Sequence, residues 1–165
     1  MYDEAVLVAL GSNLNGGFGS SNALLAAALE GFPSAGLAVL KRSTWWRSAS
    51  WPDPSAPDYI NAVVIVTTPR SPLQVLHALK GLEARFGRGP GERNAPRTLD
   101  LDLIAHGRAV IEQDDLVVPH PRAAERLFVM GPLAEIAPDW VHPVLGETAL
   151  ALAAKATVGL DARPT

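Results

Sequence analysis

The chain has 165 residues, a formal net charge of -3 and no cysteine, and 48% of it is apolar, enough to bury one proper core. A single domain over 1–165 is expected, and the missing thiols exclude disulfides, thiolate metal sites and thiol nucleophiles. The negative balance argues against a protein that coats nucleic acid through phosphate contacts. Met1-Tyr2-Asp3-Glu4 carries no basic n-region, and the apolar run after it is too short for a signal peptide or membrane span, so a soluble, cytoplasmic protein is expected.

Ala5 to Leu10 is an apolar run of strand length, ended by Gly11-Ser12-Asn13. Gly16, Gly17 and Gly19 follow without the Lys-Ser/Thr pair of a Walker-type loop and read as a turn. Ser20 or Ser21 caps a helix through Glu30, which Gly31 and Pro33 stop. Leu37 to Arg47 alternates loosely, and Trp51-Pro52-Asp53-Pro54-Ser55-Ala56-Pro57 is a proline-stiffened loop. Loops of that length tend to be functional; its Trp51 either covers a ligand or packs over the loop's own base.

Asp58 to Thr68, rich in β-branched residues, is the clearest strand. Tyr59 and Asn61 share one of its faces. Such a pair is either ordinary sheet surface or a ring that stacks on a flat heterocycle beside an amide that reads its edge. Ser71-Pro72 opens a helix, Ser as N-cap and Pro at N1, running through Leu73, Val75, Leu76, Leu79, Leu82 and Phe86 to Gly87. Glu83 is expected to face the Gly/Pro-rich loop that follows. Arg85, Arg88, Arg93 and Arg97 gather there in an otherwise acidic chain, either as a solvated turn or as a site for a small anion.

That loop leads into Arg97-Thr98-Leu99-Asp100-Leu101-Asp102-Leu103-Ile104, the most informative stretch. Strand alternation sends Leu99, Leu101 and Leu103 into a core and Asp100 and Asp102 to the other face. An isolated Asp-x-Asp is usually a solvated strand face, but Asp is depleted in strands, and two of them after an arginine loop point to a hard divalent cation with phosphates. Downstream, Ala109 to Ile111 reads as a short strand and Asp114-Asp115 as solvated acids. His120, held between Pro119 and Pro121, reads alone as structural. Ala123 to Met130 is expected to be helical, as is Thr148 to Lys155, and Gly131 to Thr165 shows no catalytic signal.

The order β-α-β-β-α-β predicts an α+β ferredoxin-like sandwich, an antiparallel sheet flanked by helices. No Gly-x-Ser-x-Gly, His-Glu-x-x-His or strand-to-helix Gly-x-Gly-x-x-Gly is present, which argues against hydrolase and dinucleotide-binding readings.

Four segments taken together, Ala9-Leu10-Gly11-Ser12-Asn13-Leu14, Pro57-Asp58-Tyr59-Ile60-Asn61-Ala62-Val63, Pro96-Arg97-Thr98-Leu99-Asp100-Leu101-Asp102 and Val118-Pro119-His120-Pro121-Arg122, closely resemble the 6-hydroxymethyl-7,8-dihydropterin pyrophosphokinases of folate biosynthesis. The likeness runs in order from Ala9 to about His142 and leaves 143–165 outside it. It implies a monomeric enzyme that moves pyrophosphate from ATP to the pterin hydroxymethyl group and releases AMP. By the same resemblance Asp100 and Asp102 would hold two Mg²⁺ ions, and Arg88 and Arg97 would clamp the phosphates. Tyr59 and Phe128 would sandwich the pterin, with Asn61 and main-chain groups of Ser48, Ala49 and Ser50 on its edge. Glu83, Leu103, His120 and Arg126, with the two clamp arginines, would lie on the ATP side. Asn94 stands where members often carry a lid tryptophan, and Ala49-Ser50-Trp51 where a Pro-Pro-aliphatic segment is usual. The alternative is a ferredoxin-like module that binds a nucleotide or pterin without turning it over.

Overall fold

An interior strand of the sheet, β1 (Val6–Ser12), has seven residues that are buried without exception. In the computed structural model the described residues are 2–13, 20–49, 58–86 and 99–165. The expected Gly16–Gly19 turn, the Trp51–Pro57 loop and most of the arginine loop therefore lie outside them.

β1 pairs antiparallel with β4 (Tyr59–Thr67) on one side and with β5 (Asp100–His106) on the other. Beyond β4 lie β2 (Ala38–Arg42) and β3 (Trp46–Ser48), both antiparallel to it, and β3 also pairs with the two-residue β8 (Arg163–Pro164). With α1 (Ser21–Glu30) between β1 and β2, and α2 (Pro72–Phe86) between β4 and β5, this is the expected ferredoxin-like βαββαβ order. The loosely alternating run Leu37 to Arg47 becomes two strands rather than one. Ser43 makes the break: its N–H donates to the Val63 carbonyl (2.9 Å) while its Oγ accepts from the Val63 N–H (3.0 Å).

Of the two serines offered as helix caps, Ser20 is used, its Oγ accepting from the Ala23 N–H at 3.0 Å. α2 starts with a reciprocal box: the Gln74 N–H donates to Ser71 Oγ (3.3 Å) and the Ser71 N–H to Gln74 Oε1 (2.9 Å). Both helices bury their apolar stripe on one face of the sheet, where Leu24, Leu25, Val75 and Leu79 meet Leu10, Val64, Leu99, Leu101 and Leu103. Each fully buried Leu or Val is worth about 1.5–3 kcal/mol.

The opposite face is covered by α3 (Leu127–Ile136) and α4 (Ala149–Ala154), with Leu7, Ala9, Val63, Ile65, Met130, Leu133 and Trp140 in its core. The predicted helix over Ala123–Met130 is broken. A 3₁₀ turn spans Ala123–Glu125, Arg126 is extended (φ -101°, ψ 115°), and α3 begins only at Leu127 and runs past Gly131 and Pro132. Pro132 has no N–H to give the Phe128 carbonyl. The downstream hairpin is β6 (Ile111–Gln113) with β7 (Leu116–Val118), displaced slightly from the expected strand at Ala109. Among the described residues no helix is long and apolar enough to cross a membrane.

Candidate active site

The register of the sheet decides which side chains meet. Asp100 lies opposite Gly11, Gly11 opposite Asn61, and Asn61 opposite Trp46, so one row crosses four strands on the α3 face. The next row holds Asp102, Ala9 and Val63. Residues directly opposite one another share a face, so the two carboxylates and Asn61 project to the same side. Tyr59, two residues before Asn61, projects there as well and stays half-buried. Leu99, Leu101 and Leu103 occupy the other face, as the alternation predicts.

β5 is the edge strand, and its outer edge is met by other groups. Glu83 Oε2, from α2, accepts the Leu101 N–H at 2.9 Å. A β-bulge interrupts the β1–β5 register: Leu7 faces Ala105 and Val8 faces Leu103, so Ile104 has no β1 counterpart. The Ile104 carbonyl instead accepts the His120 N–H at 2.8 Å. Bulges of this kind re-aim side chains beside functional sites. Here the bulge draws the His120 loop against β5, two residues from Asp102. Burial holds the His120 imidazole below its ordinary pKa; the negative charge of Asp102 opposes this, and Arg126 and Arg122 reinforce it. Asp102 and Arg126 thus both act on His120 although the three come from separate segments. The His120 Nδ1 accepts from the Arg122 N–H at 3.2 Å, which fixes the ring's tilt.

Asn61 is 6% exposed and Ser48 4%. The Asn61 Nδ2 donates to Ser48 Oγ at 3.0 Å, so the amide is oriented before any ligand arrives. Its Oδ1 lies over Gly11, 3.1 Å from where a Cβ would stand, and a side chain at Gly11 would displace it. Phe128 sits in the first turn of α3, with the Arg126 guanidinium 5.7 Å from its ring centroid.

Of the residues singled out from the sequence, Asp100, Asp102, Asn61 and Tyr59 share one face, and both Asp102 and Arg126 reach His120 electrostatically. Leu103 has its side chain in the core, so only its main chain is on offer to a ligand. Glu83 braces β5 through Leu101. Ser50, Arg88 and Arg97 lie outside the described residues. Sequence reasoning missed Gly11 and Ser48 Oγ as the groups that orient Asn61; the Gly11-Ser12 break at the end of β1 was the available signal. Among the described residues no cluster of three or more His, Cys, Asp or Glu could hold a metal ion. The Asp100–Asp102 pair is a hard, two-carboxylate donor set that suits a Mg²⁺ ion completed by phosphate oxygens and water, and does not suit an all-protein cage.

The model of the family described as 7,8-dihydro-6-hydroxymethylpterin-pyrophosphokinase matches residues 7–138. The chain is 48% identical over 118 residues to the 2-amino-4-hydroxy-6-hydroxymethyldihydropteridine pyrophosphokinase of Synechocystis, covering 72% of this chain and 60% of that protein. It is 39% identical over 140 residues to the protein of that name from Methylorubrum extorquens, covering 84% and 85%. The crystal structure of wild-type Plasmodium falciparum HPPK-DHPS superposes with a TM-score of 0.70 at 13% identity, over 92% of this chain and 44% of that one. The match therefore spans about three-fifths of the Synechocystis protein and less than half of the Plasmodium chain. On the extent of these matches, this chain belongs to the 7,8-dihydro-6-hydroxymethylpterin-pyrophosphokinase family.

Proposed function

We propose that the chain is a single-domain, monomeric, cytoplasmic pyrophosphokinase that transfers the β,γ-pyrophosphoryl group of ATP to the hydroxymethyl oxygen of 6-hydroxymethyl-7,8-dihydropterin. The oxygen forms a bond to the β-phosphorus, the bond from that phosphorus to the α-bridging oxygen breaks, AMP leaves and the hydroxyl proton is released. The observation that carries this reading is the cross-strand row that sets Asp100 and the pre-oriented Asn61 on one face, with Asp102 in the next row.

Asn61, oriented by the bond its Nδ2 donates to Ser48, presents Oδ1 to an N–H on the pterin edge. Tyr59 and Phe128 supply the flanking rings, and the main chain of Ser48, Ala49 and Ser50 supplies further hydrogen bonds. Arg88, Arg97 and Arg126 bind the triphosphate, with His120, Glu83 and the Leu103 main chain on the same side. Asp100 and Asp102 are the residues that would hold two Mg²⁺ ions, which when bound neutralise the polyphosphate charge and orient it. Placing the hydroxyl in line with the β-phosphorus is the protein's main contribution, and no general base is assigned.

The test is to supply ATP, Mg²⁺ and 6-hydroxymethyl-7,8-dihydropterin and to identify the nucleotide product, with Asp102→Ala alongside. AMP formed only by the unaltered chain, and only with the pterin, is the expected result. ADP would mean γ-phosphoryl transfer, and binding without any product would mean a sensing module.

A further inference from the structure

The C-terminal segment Thr157–Thr165 lies beyond the 7–138 span of the family match, yet it touches three parts of the candidate site. The Ala49 N–H donates to Asp161 Oδ2 at 2.7 Å, across 112 positions of sequence and in the range of charge-assisted bonds. Gly159 has φ +69°, and a Cβ there would stand 2.5 Å from Phe128 Cδ1, so the chain passes directly against the ring. The N–H groups of Thr157 and Val158 donate to the Glu125 carbonyl (2.9 and 3.0 Å), and the Leu127 N–H donates to the Val158 carbonyl (2.9 Å), pinning both sides of Arg126. The segment is anchored at its far end, where Arg163 and Pro164 pair with Arg47 and Trp46, and the Thr165 N–H donates to the Trp45 carbonyl at 2.9 Å.

Each contact falls on a group whose placement matters and whose own element ends there. β3 stops at Ser48, so Ala49 has no strand partner for its N–H. The 3₁₀ turn ends at Glu125 and α3 starts at Leu127, so the Glu125 carbonyl and the Leu127 N–H sit at the junction of two elements, where the segment's hydrogen bonds meet them. We infer that Thr157–Thr165 is a strap that sets the geometry of the pterin-binding half of the site, with Asp161 a positioning residue that holds the Ala49 main chain and Gly159 the residue that lets Phe128 take its place. The inference rests on the reading of this site as the pterin site. Asp161 acts through Ala49 and touches no substrate.

Asp161→Ala and Asp161→Asn are compared with the unaltered chain by calorimetric titration with 6-hydroxymethyl-7,8-dihydropterin and, separately, with a non-hydrolysable ATP analogue. Asp161→Ala is expected to weaken pterin binding about tenfold, the value of one such hydrogen bond, and to leave ATP-analogue binding within about twofold. Asp161→Asn keeps an acceptor oxygen and should restore most of the loss. Amide exchange at Ala49, read without any substrate, should quicken about tenfold in Asp161→Ala alone. Gly159→Ala should weaken pterin binding by pushing the Phe128 ring, with Ala49 exchange unchanged. Pterin affinity within twofold of the unaltered chain in Asp161→Ala, or an equal loss for both ligands, overturns the proposal. Should Asp161→Ala fail to fold, Gly159→Ala decides by the same criterion. An unaltered chain that binds the ATP analogue but no pterin overturns the site reading instead, and Ala49 exchange still reports whether Asp161 holds the loop.

Discussion

The two faces of the central sheet are closed differently. On one, α1 and α2 seal the sheet along its length, and Leu99, Leu101 and Leu103 vanish into that core. On the other, α3 and α4 cover Leu7, Ala9, Val63 and Ile65 but leave the end of the sheet that carries Asp100, Asp102 and Tyr59 less covered. A strand that reads Leu-Asp-Leu-Asp-Leu serves both: the same backbone contributes stability to one side and chemistry to the other. Stability and function can thus be separated residue by residue along β5.

The sharpest way to break that contrast is to alter two neighbours. Asp102→Ala is expected to lower kcat by a factor on the order of 10³ while the denaturation midpoint stays near that of the unaltered chain. Leu101→Ala, 4% exposed on the sealed face, should cost about 2–5 kcal/mol of stability and leave turnover per folded molecule close to normal. Urea titrations beside steady-state kinetics read both. A large stability loss in Asp102→Ala would mean that the open face also holds the fold together.

A smaller effect sharpens the geometry within the open face. Gly11→Ala places a Cβ 3.1 Å from Asn61 Oδ1, tight enough that the amide must give by a few tenths of an ångström. Pterin affinity should fall about three- to tenfold, less than for Asn61→Ala, with nucleotide affinity unchanged. Equal affinity in Gly11→Ala would show that Asn61 is free to adjust, contrary to its bond with Ser48.

The smallest effect concerns how α3 is fastened over the second face. Glu135 accepts from the Thr44 N–H at 2.6 Å, the Thr44 hydroxyl at 2.9 Å and Trp46 Nε1 at 3.1 Å. Partial burial alone would raise this carboxyl, but the three donated bonds outweigh it and hold its pKa below the ordinary 4.5. With the folded value lower than the unfolded one, the contribution is present above pH 4.5 and is lost as pH falls through the folded value. The Tm gap between the unaltered chain and Glu135→Gln should therefore be widest near neutral pH and close in acid. A gap independent of pH would show that the charge on Glu135 does not matter.

The features legible along the chain are local ones. Period-two alternation put Asp100 and Asp102 on one face, Ser71-Pro72 marked the start of α2 where its capping box forms, and the β-α-β-β-α-β order specified the sheet. These depend on residues a few positions apart, so a linear reading contains them. The break at Arg126, the bulge that brings His120 to Asp102, and the clamp of Asp161 on Ala49 were decided only by the tertiary structure. Their partners lie far apart in the chain, 112 positions in the case of Asp161, and no local periodicity encodes them. A tail without motifs of its own reads as inert until the fold places its carboxylate against an N–H that β3 leaves unpaired.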